Sequence, residues 1–158
     1  MTDRRRPMRL NDSTDMALRV MIFATAQGDR IFTIDQLVAT YRLPRSTMMK
    51  VVNALTRGEF LIAQRGRSGG LHLARPADQI SVGAVVRHLE TDFGLVECMR
   101  TGNQCIITCQ CRLIAPLKRA MEAFLGVLDD CSVADIALTP ADFPIIGNAT
   151  VSRLGATQ

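Results

Sequence analysis

The residues that could do chemistry are concentrated in one stretch, Cys98-Met-Arg-Thr-Gly-Asn-Gln-Cys105-Ile-Ile-Thr-Cys109-Gln-Cys111, which holds four of the five cysteines. Thiolates are soft ligands that select zinc, copper(I) or an iron–sulfur cluster. The outer spacing is C-x6-C-x5-C, with Cys109 as an extra C-x-C partner of Cys111. Structural zinc sites more often use paired C-x2-4-C knuckles, and the stretch has none. Widely spaced cysteines suit a cluster, whose irons sit at separate corners. Spacing alone leaves three readings open: a cluster, a zinc site, and a disulfide or unliganded thiols. Gly102 and Asn103 interrupt any helical or strand period, so the stretch is expected to be a loop.

The rest of the chain must position that loop. Its 158 residues suit one domain or a small domain with an appendage. Hydrophobic residues make up 47%, with no Trp and 8 Met, which predicts an aliphatic core with adaptable filler. Residues 1–76 carry a net charge of +7 and residues 77–158 a net of −3, together giving the formal +4. A basic first half suggests a polyanionic partner there. Most of the positive charge is arginine, whose planar fork suits phosphates and guanine edges. Arg4-Arg5-Arg6 before the apolar run Met16–Ala26 imitates a secretory signal, but Arg19 interrupts the run and a polar segment precedes it. No stretch approaches the roughly 20 apolar residues of a membrane span. A cytoplasmic protein without a membrane partner or a disulfide framework is expected.

Met1–Pro7 reads as a disordered leader. Ser13 or Thr14 is positioned to cap a first helix that runs to Ala26, apolar nearly all round and so buried. Thr33-Ile-Asp-Gln36 is a capping box, followed by Ile34, Leu37, Val38 and Tyr41 at helical spacing. Pro44 can begin the next helix, whose buried face is Met48, Val51, Val52 and Leu55. Arg45, Ser46, Thr47, Lys50 and Asn53 remain for its other side and its N-terminus, where they would meet DNA. Two short helices joined by a tight turn read as helix-turn-helix. Leu61–Arg65 and Leu71–Arg75 then read as a hairpin with a glycine-rich basic tip, Gly66-Arg67-Ser68-Gly69-Gly70. The tip lacks the Gly-Lys-Ser/Thr ending of a phosphate loop. After a helix pair it reads as a wing, with Arg65 or Arg67 reaching the minor groove and Ser68 beside them.

Ile80-Ser81 resembles a hydrophobic staple and N-cap, with Val85 as the staple's partner and a helix to Glu90. His88 on that helix reads as a satisfied or exposed histidine rather than a ligand. Leu113, Leu117, Ala120, Phe124, Val127 and Cys131 follow at steps of four and three, a heptad seam that could pair two subunits. Pro116 must lie in that helix's first turn or kink it. Ser132-Val-Ala-Asp135 is expected to start one more helical turn, and 139–158 to be a flexible tail. The resulting fold is mainly α with a small β-hairpin wing: residues 8–76 form a winged helix-turn-helix, and 77–138 a sensor loop plus long dimerisation helix.

These residues resemble the Rrf-two (BadM) family of winged-helix bacterial transcription regulators. The matching segments are Met8-Arg-Leu10, Thr14-Asp-Met-Ala-Leu-Arg19, Arg65-Gly-Arg-Ser-Gly-Gly70, Arg75-Pro76 with Ile80-Ser81, and Glu97-Cys98…Cys105…Cys111-Arg-Leu113. The resemblance implies a homodimeric repressor binding double-stranded operator DNA, with one iron–sulfur cluster, 4Fe–4S or 2Fe–2S, per subunit. It implies Cys98, Cys105 and Cys111 as ligands. The stretch from Asn103 to Leu113 looks most like the family's nitric-oxide-sensing members, in which an aspartate near the start of the first helix reaches across the dimer as fourth ligand. The matching residue is Asp15, and Cys109 is the competitor. One branch of the family uses a histidine shortly after the cysteines; the only histidines here are His72 and His88, so that branch is not matched. An iron-responsive repressor and a zinc-stabilised regulator are the alternatives. No catalytic acid–base pair or dinucleotide fingerprint is visible, so no enzyme is expected.

Overall fold

The computed structural model describes residues 9–143; the leader at 1–7, Met8 and positions 144–158 of the expected tail lie outside the described residues. Five α-helices and one hairpin follow in the order α1 (Asp12–Gln27), α2 (Ile34–Tyr41), α3 (Arg45–Arg57), β1 (Leu61–Gln64), β2 (Gly70–Leu73), α4 (Val82–Leu89) and α5 (Ile114–Asp129).

Helix α1 is the axis of the core, with Ala17, Val20, Met21 and Phe23 fully buried. Its cap is Asn11, not Ser13 or Thr14: the Asn11 side chain accepts the Thr14 backbone N–H at 2.8 Å. Thr14 is instead buried, and its hydroxyl donates to Glu90 Oε2 at 3.1 Å. A hydroxyl drawn into a tertiary bond leaves the capping place to an earlier polar residue. Gly28 ends the helix with φ +60°, a conformation that other residues rarely adopt.

The capping box of α2 forms as expected between Thr33 and Gln36, and Arg42 stops that helix in the left-handed region. Pro44 then leads into α3, whose Met48, Val51, Val52 and Leu55 are buried. Tyr41 fastens the end of α2 to α1 by donating its hydroxyl to the Arg19 carbonyl at 2.7 Å. Burial pushes the Tyr41 phenol up to about 12, with Arg19 pulling the other way. Phe23 stacks edge-on with Phe32 at 5.5 Å and with Phe143 at 5.4 Å. Phe143 is thus buried just after a capped 3₁₀ turn, Pro140–Asp142.

The two strands pair antiparallel, with Leu61 opposite Leu73 and Gln64 opposite Gly70. They are shorter than the expected 61–65 and 71–75, and Gly70 lies in β2 rather than at the tip. Phe32 pairs with the other edge of β2, exchanging backbone hydrogen bonds with Leu71 at 2.9 and 2.7 Å. A side chain at Gly70 would strike the Phe32 carbonyl at 2.5 Å. The wing root is therefore stitched to the segment before α2.

Ser81 caps α4 by accepting the Ala84 N–H at 3.2 Å, and the staple partners Ile80 and Val85 are both buried. The turn after α5 returns to α4, with Val82 N–H donating to the Cys131 carbonyl at 2.8 Å and Val133 N–H to the Ile80 carbonyl at 2.8 Å. The heptad seam outruns its helix: Leu113 is the N-cap, and Cys131 lies beyond the C-cap Asp130. Pro116 falls in the first turn, where no intrahelical N–H is needed. Ser132–Asp135 is a single hydrogen-bonded turn and not a helical start, since its Ser132–Asp135 side-chain bonds close on themselves.

Candidate nucleic-acid interface and cysteine loop

Helix α3 offers a face without a negative charge. Its sequence RSTMMKVVNALTR contains no acidic residue. Arg45, Ser46, Thr47, Lys50 and Asn53 are all exposed, on the sides away from the buried stripe. The Arg45 guanidinium is paired with Asp35 of α2, which orients it across the helix-turn-helix corner. The wing presents Arg65, Arg67 and Ser68, all exposed, around Gly66 with φ +112°. Arg75 lies 6.0 Å over the Phe60 ring at the base of the wing. The sequence reading did not assign Met49, Arg57 or Arg75 to this surface. Arg57 carries a signal it could have used, since Ser46, Lys50, Asn53 and Arg57 recur at steps of four, three and four.

His88 joins α4 to the end of α3. Its Nε2 lies 2.9 Å from the Ala54 carbonyl, and its ring meets Phe60 edge-on at 5.6 Å. Any side chain at Gly58 would collide with both rings. The histidine is satisfied by protein contacts. The next residue toward the N-terminus, Arg87, makes a two-pronged pair with Asp129 of α5, one prong at 2.6 Å. The hydrogen bonds hold the Asp129 carboxyl below its usual range and raise Arg87 above its own.

The cysteine stretch is a loop, as expected. A 3₁₀ turn at Glu97–Met99 carries Cys98. Glu97 Oε1 accepts the Gln104 N–H at 3.0 Å, and the Thr108 hydroxyl donates to the Cys105 carbonyl at 2.7 Å. Cys98, Cys105, Cys111 and Cys131 are half-buried and Cys109 is exposed, all as free thiols. Ile106 is 98% exposed at the loop's tip, with Ile107 beside it. Among the described residues no three His, Cys, Asp or Glu side chains come close enough together to hold a metal ion. Asp15 is half-exposed and paired with Arg19 at 2.8 Å. The donor chemistry therefore fits a thiophilic centre, three thiols and a carboxylate, while one chain by itself does not draw them together.

The loop's root is tied to α1. Glu90 Oε2 accepts the Asn11 backbone N–H at 3.0 Å as well as the Thr14 hydroxyl, and Asn11 Nδ2 donates to the Leu89 carbonyl at 3.3 Å. This clasp sits one residue before Asp15 and eight before Cys98. It joins parts of the chain 76 to 79 residues apart, which no local pattern announces.

A helix-turn-helix followed by a basic hairpin, with an appended cysteine loop and a long helix, defines a winged-helix DNA-binding regulator. The sequence model of the Rrf2 family, described as "Iron-dependent Transcriptional regulator", matches residues 10–139. The chain belongs to the Rrf2 family of transcriptional regulators and is not an enzyme. It is 38% identical over 131 residues to the HTH-type transcriptional regulator NsrR of Oceanobacillus iheyensis, covering 82% of this chain and 89% of that one. With the NsrR of Geobacillus kaustophilus it is 39% identical over 131 residues, with the same shares covered. Among solved structures, CymR (YrzC), the global cysteine regulator of B. subtilis, superposes with a TM-score of 0.64 at 21% identity over 82% of this chain and 96% of that one. T. potens IscR superposes with 0.65 at 18% identity over 82% and 86%. These structures show the fold. Among the described residues no helix is long and apolar enough to cross a membrane.

Proposed function

We propose that this DNA-binding regulator is a cytoplasmic homodimeric repressor whose operator binding is controlled by an iron–sulfur cluster that responds to nitric oxide. The observation that carries the reading is the set of three half-buried free thiols, Cys98, Cys105 and Cys111, in one loop rooted on the helix that contacts α3. Those thiolates would hold the cluster, with Asp15 of a second copy as fourth ligand and Cys109 as its competitor. When bound, the cluster supplies iron, a site at which nitric oxide can replace a protein ligand. The chain's own residues do the rest. Lys50, Asn53 and the arginines of the wing bind the duplex. The exposed apolar side chains of Leu113 at the N-cap of α5 and of Phe124 and Val127 within it pair two copies. The Glu90 clasp keeps the start of α1 against the loop's root. Two α3 helices on one face of DNA must sit about 34 Å apart or a multiple of it. Control requires that DNA bind one state of the loop more tightly than the other.

Anaerobic purification tests this directly. The expected protein is brown, contains iron and sulfide, and loses its operator shift when titrated with nitric oxide. A colourless protein containing zinc would sink the cluster. The family's printed description as iron-dependent favours one second reading, an iron-responsive repressor. In that case an iron chelator, but not nitric oxide, changes operator affinity.

A further inference from the structure

Helix α3 carries one side chain that neither the core nor the polar face accounts for. Met49 is 42% exposed, and it belongs neither to the buried core nor to the partly buried side chains packed against it. Its neighbours Met48, Val51, Val52 and Leu55 all bury themselves. Helix propensity does not call for methionine here, since Lys, Gln and Glu serve equally well on a solvated face. At 3.6 residues per turn Met49 lies about 60° around the helix from Ser46 and about 4.5 Å further along it. It is therefore flanked by Ser46, Lys50 and Asn53, the groups that face DNA. An apolar side chain among polar ones on such a face has a specific complement in the major groove. Thymine alone presents a methyl group there, and apolar side chains recognise it by contact. The thioether is flexible and polarisable, and it adapts to such a contact without fixed geometry.

We propose that Met49 is a specificity-determining residue that packs on the C5 methyl of a thymine in the bound duplex. The proposal rests on α3 being the recognition helix. The occupant is DNA because α3 has no acidic residue, exposes Arg45, Lys50 and Arg57, and is followed by a hairpin that exposes Arg65 and Arg67.

The test begins with the full-length protein, purified anaerobically, selecting a site from a pool of random duplexes. Fluorescence anisotropy at fixed salt then measures affinity for that duplex with each thymine replaced in turn by deoxyuridine, which removes only the methyl. At least one replacement should weaken wild-type binding about four-fold, the worth of one buried methyl, and leave Met49→Ala unaffected. Met49→Gln, put through the same selection, should shift the preference at that position toward adenine, which glutamine recognises through N6 and N7. Thermal melts matching the wild type keep both variants comparable. Deoxyuridine effects of equal size in wild type and Met49→Ala overturn the proposal, as does a selected site without thymine. Failure to enrich any site overturns the recognition-helix reading and the proposal with it.

Discussion

The two halves of the chain solve burial differently. From α1 to α4 each helix sends at least one side chain fully into the core. Helix α5, as long as α1 at 16 residues, has no buried residue at all. Its Phe124 is 44% exposed and Val127 71%, and the loop before it carries the almost fully exposed Ile106. Apolar surface left in water disfavours a fold, and a contiguous patch of it marks an interaction site. The core is built mainly by the first half and closed by Val133 and Phe143 of the second. The second half leaves apolar side chains of α5 and of the loop before it in solvent, the surface that the proposed pairing would cover.

The cysteines give the largest expected effect. Cys98→Ala, Cys105→Ala and Cys111→Ala should each lose the cluster and cluster-dependent operator control, while the melting of the winged-helix half stays near wild type. Cys131→Ala should keep both, Cys109→Ala most of both, and Asp15→Ala a more labile cluster held by three thiolates. Iron and sulfide content with visible spectra decide; a colourless Cys109→Ala beside a brown Cys98→Ala would reverse the ligand assignment.

Next comes a pair of substitutions, one in each half. Leu55→Ala empties a fully buried site and should cost about 2–5 kcal/mol of unfolding free energy. Phe124→Asp should leave the fold of the single chain largely intact and abolish pairing, because a charge cannot be buried unpaired in an apolar interface. Denaturant titration and sedimentation separate the two outcomes. A folded dimer of Phe124→Asp would move the pairing surface off α5.

A smaller effect is expected at the wing. Arg65→Ala should weaken specific operator binding by about 1–3 kcal/mol if Arg65 reads the groove, and by less, equally on random DNA, if it touches phosphate alone. Anisotropy on both duplexes distinguishes these, and unchanged affinity for both removes Arg65 from the interface.

The smallest is a pH effect confined to the first half. Tyr41 keeps its proton in the folded state to about 12, against 10.0 for the free side chain. The unfolded chain therefore loses that proton first, and stability falls as pH rises from 10.0 towards 12. Tyr41→Phe should remove that slope in alkaline denaturation while leaving the neutral-pH melt little changed.

The fold was legible wherever a local pattern had a local cause. The Thr33–Gln36 box, Pro44 before α3, the Ile80–Val85 staple and the wing's glycines all act within a few residues. Legibility failed where partners are distant. Thr14 could not be separated from Asn11 as a cap without Glu90, and the bridge from Phe32 to Leu71 joins segments far apart in the chain. Of the candidate site, the cysteine loop and the polar side of α3 could be read from residue types and spacing. Met49 could not: helical spacing puts Met48 on the buried stripe and Met49 off it, but an apolar residue beside a polar face carries no role until its exposure is known. The clasp of Glu90 on α1 also lies beyond any local period.

Arg87 and His88 are consecutive, so the path from α5 to α3 crosses one peptide unit of α4. Helix α5 cannot slide or turn while both contacts hold without dragging the last turn of α3 with it. The two links differ in strength under load. The Arg87–Asp129 pair is exposed, and such pairs weaken as salt screens them. The contact from His88 goes to a backbone carbonyl rather than to a charged group and is backed by the Phe60 ring. Rising ionic strength is therefore expected to loosen the arginine link to α5 first and to leave the histidine contact with α3 in place.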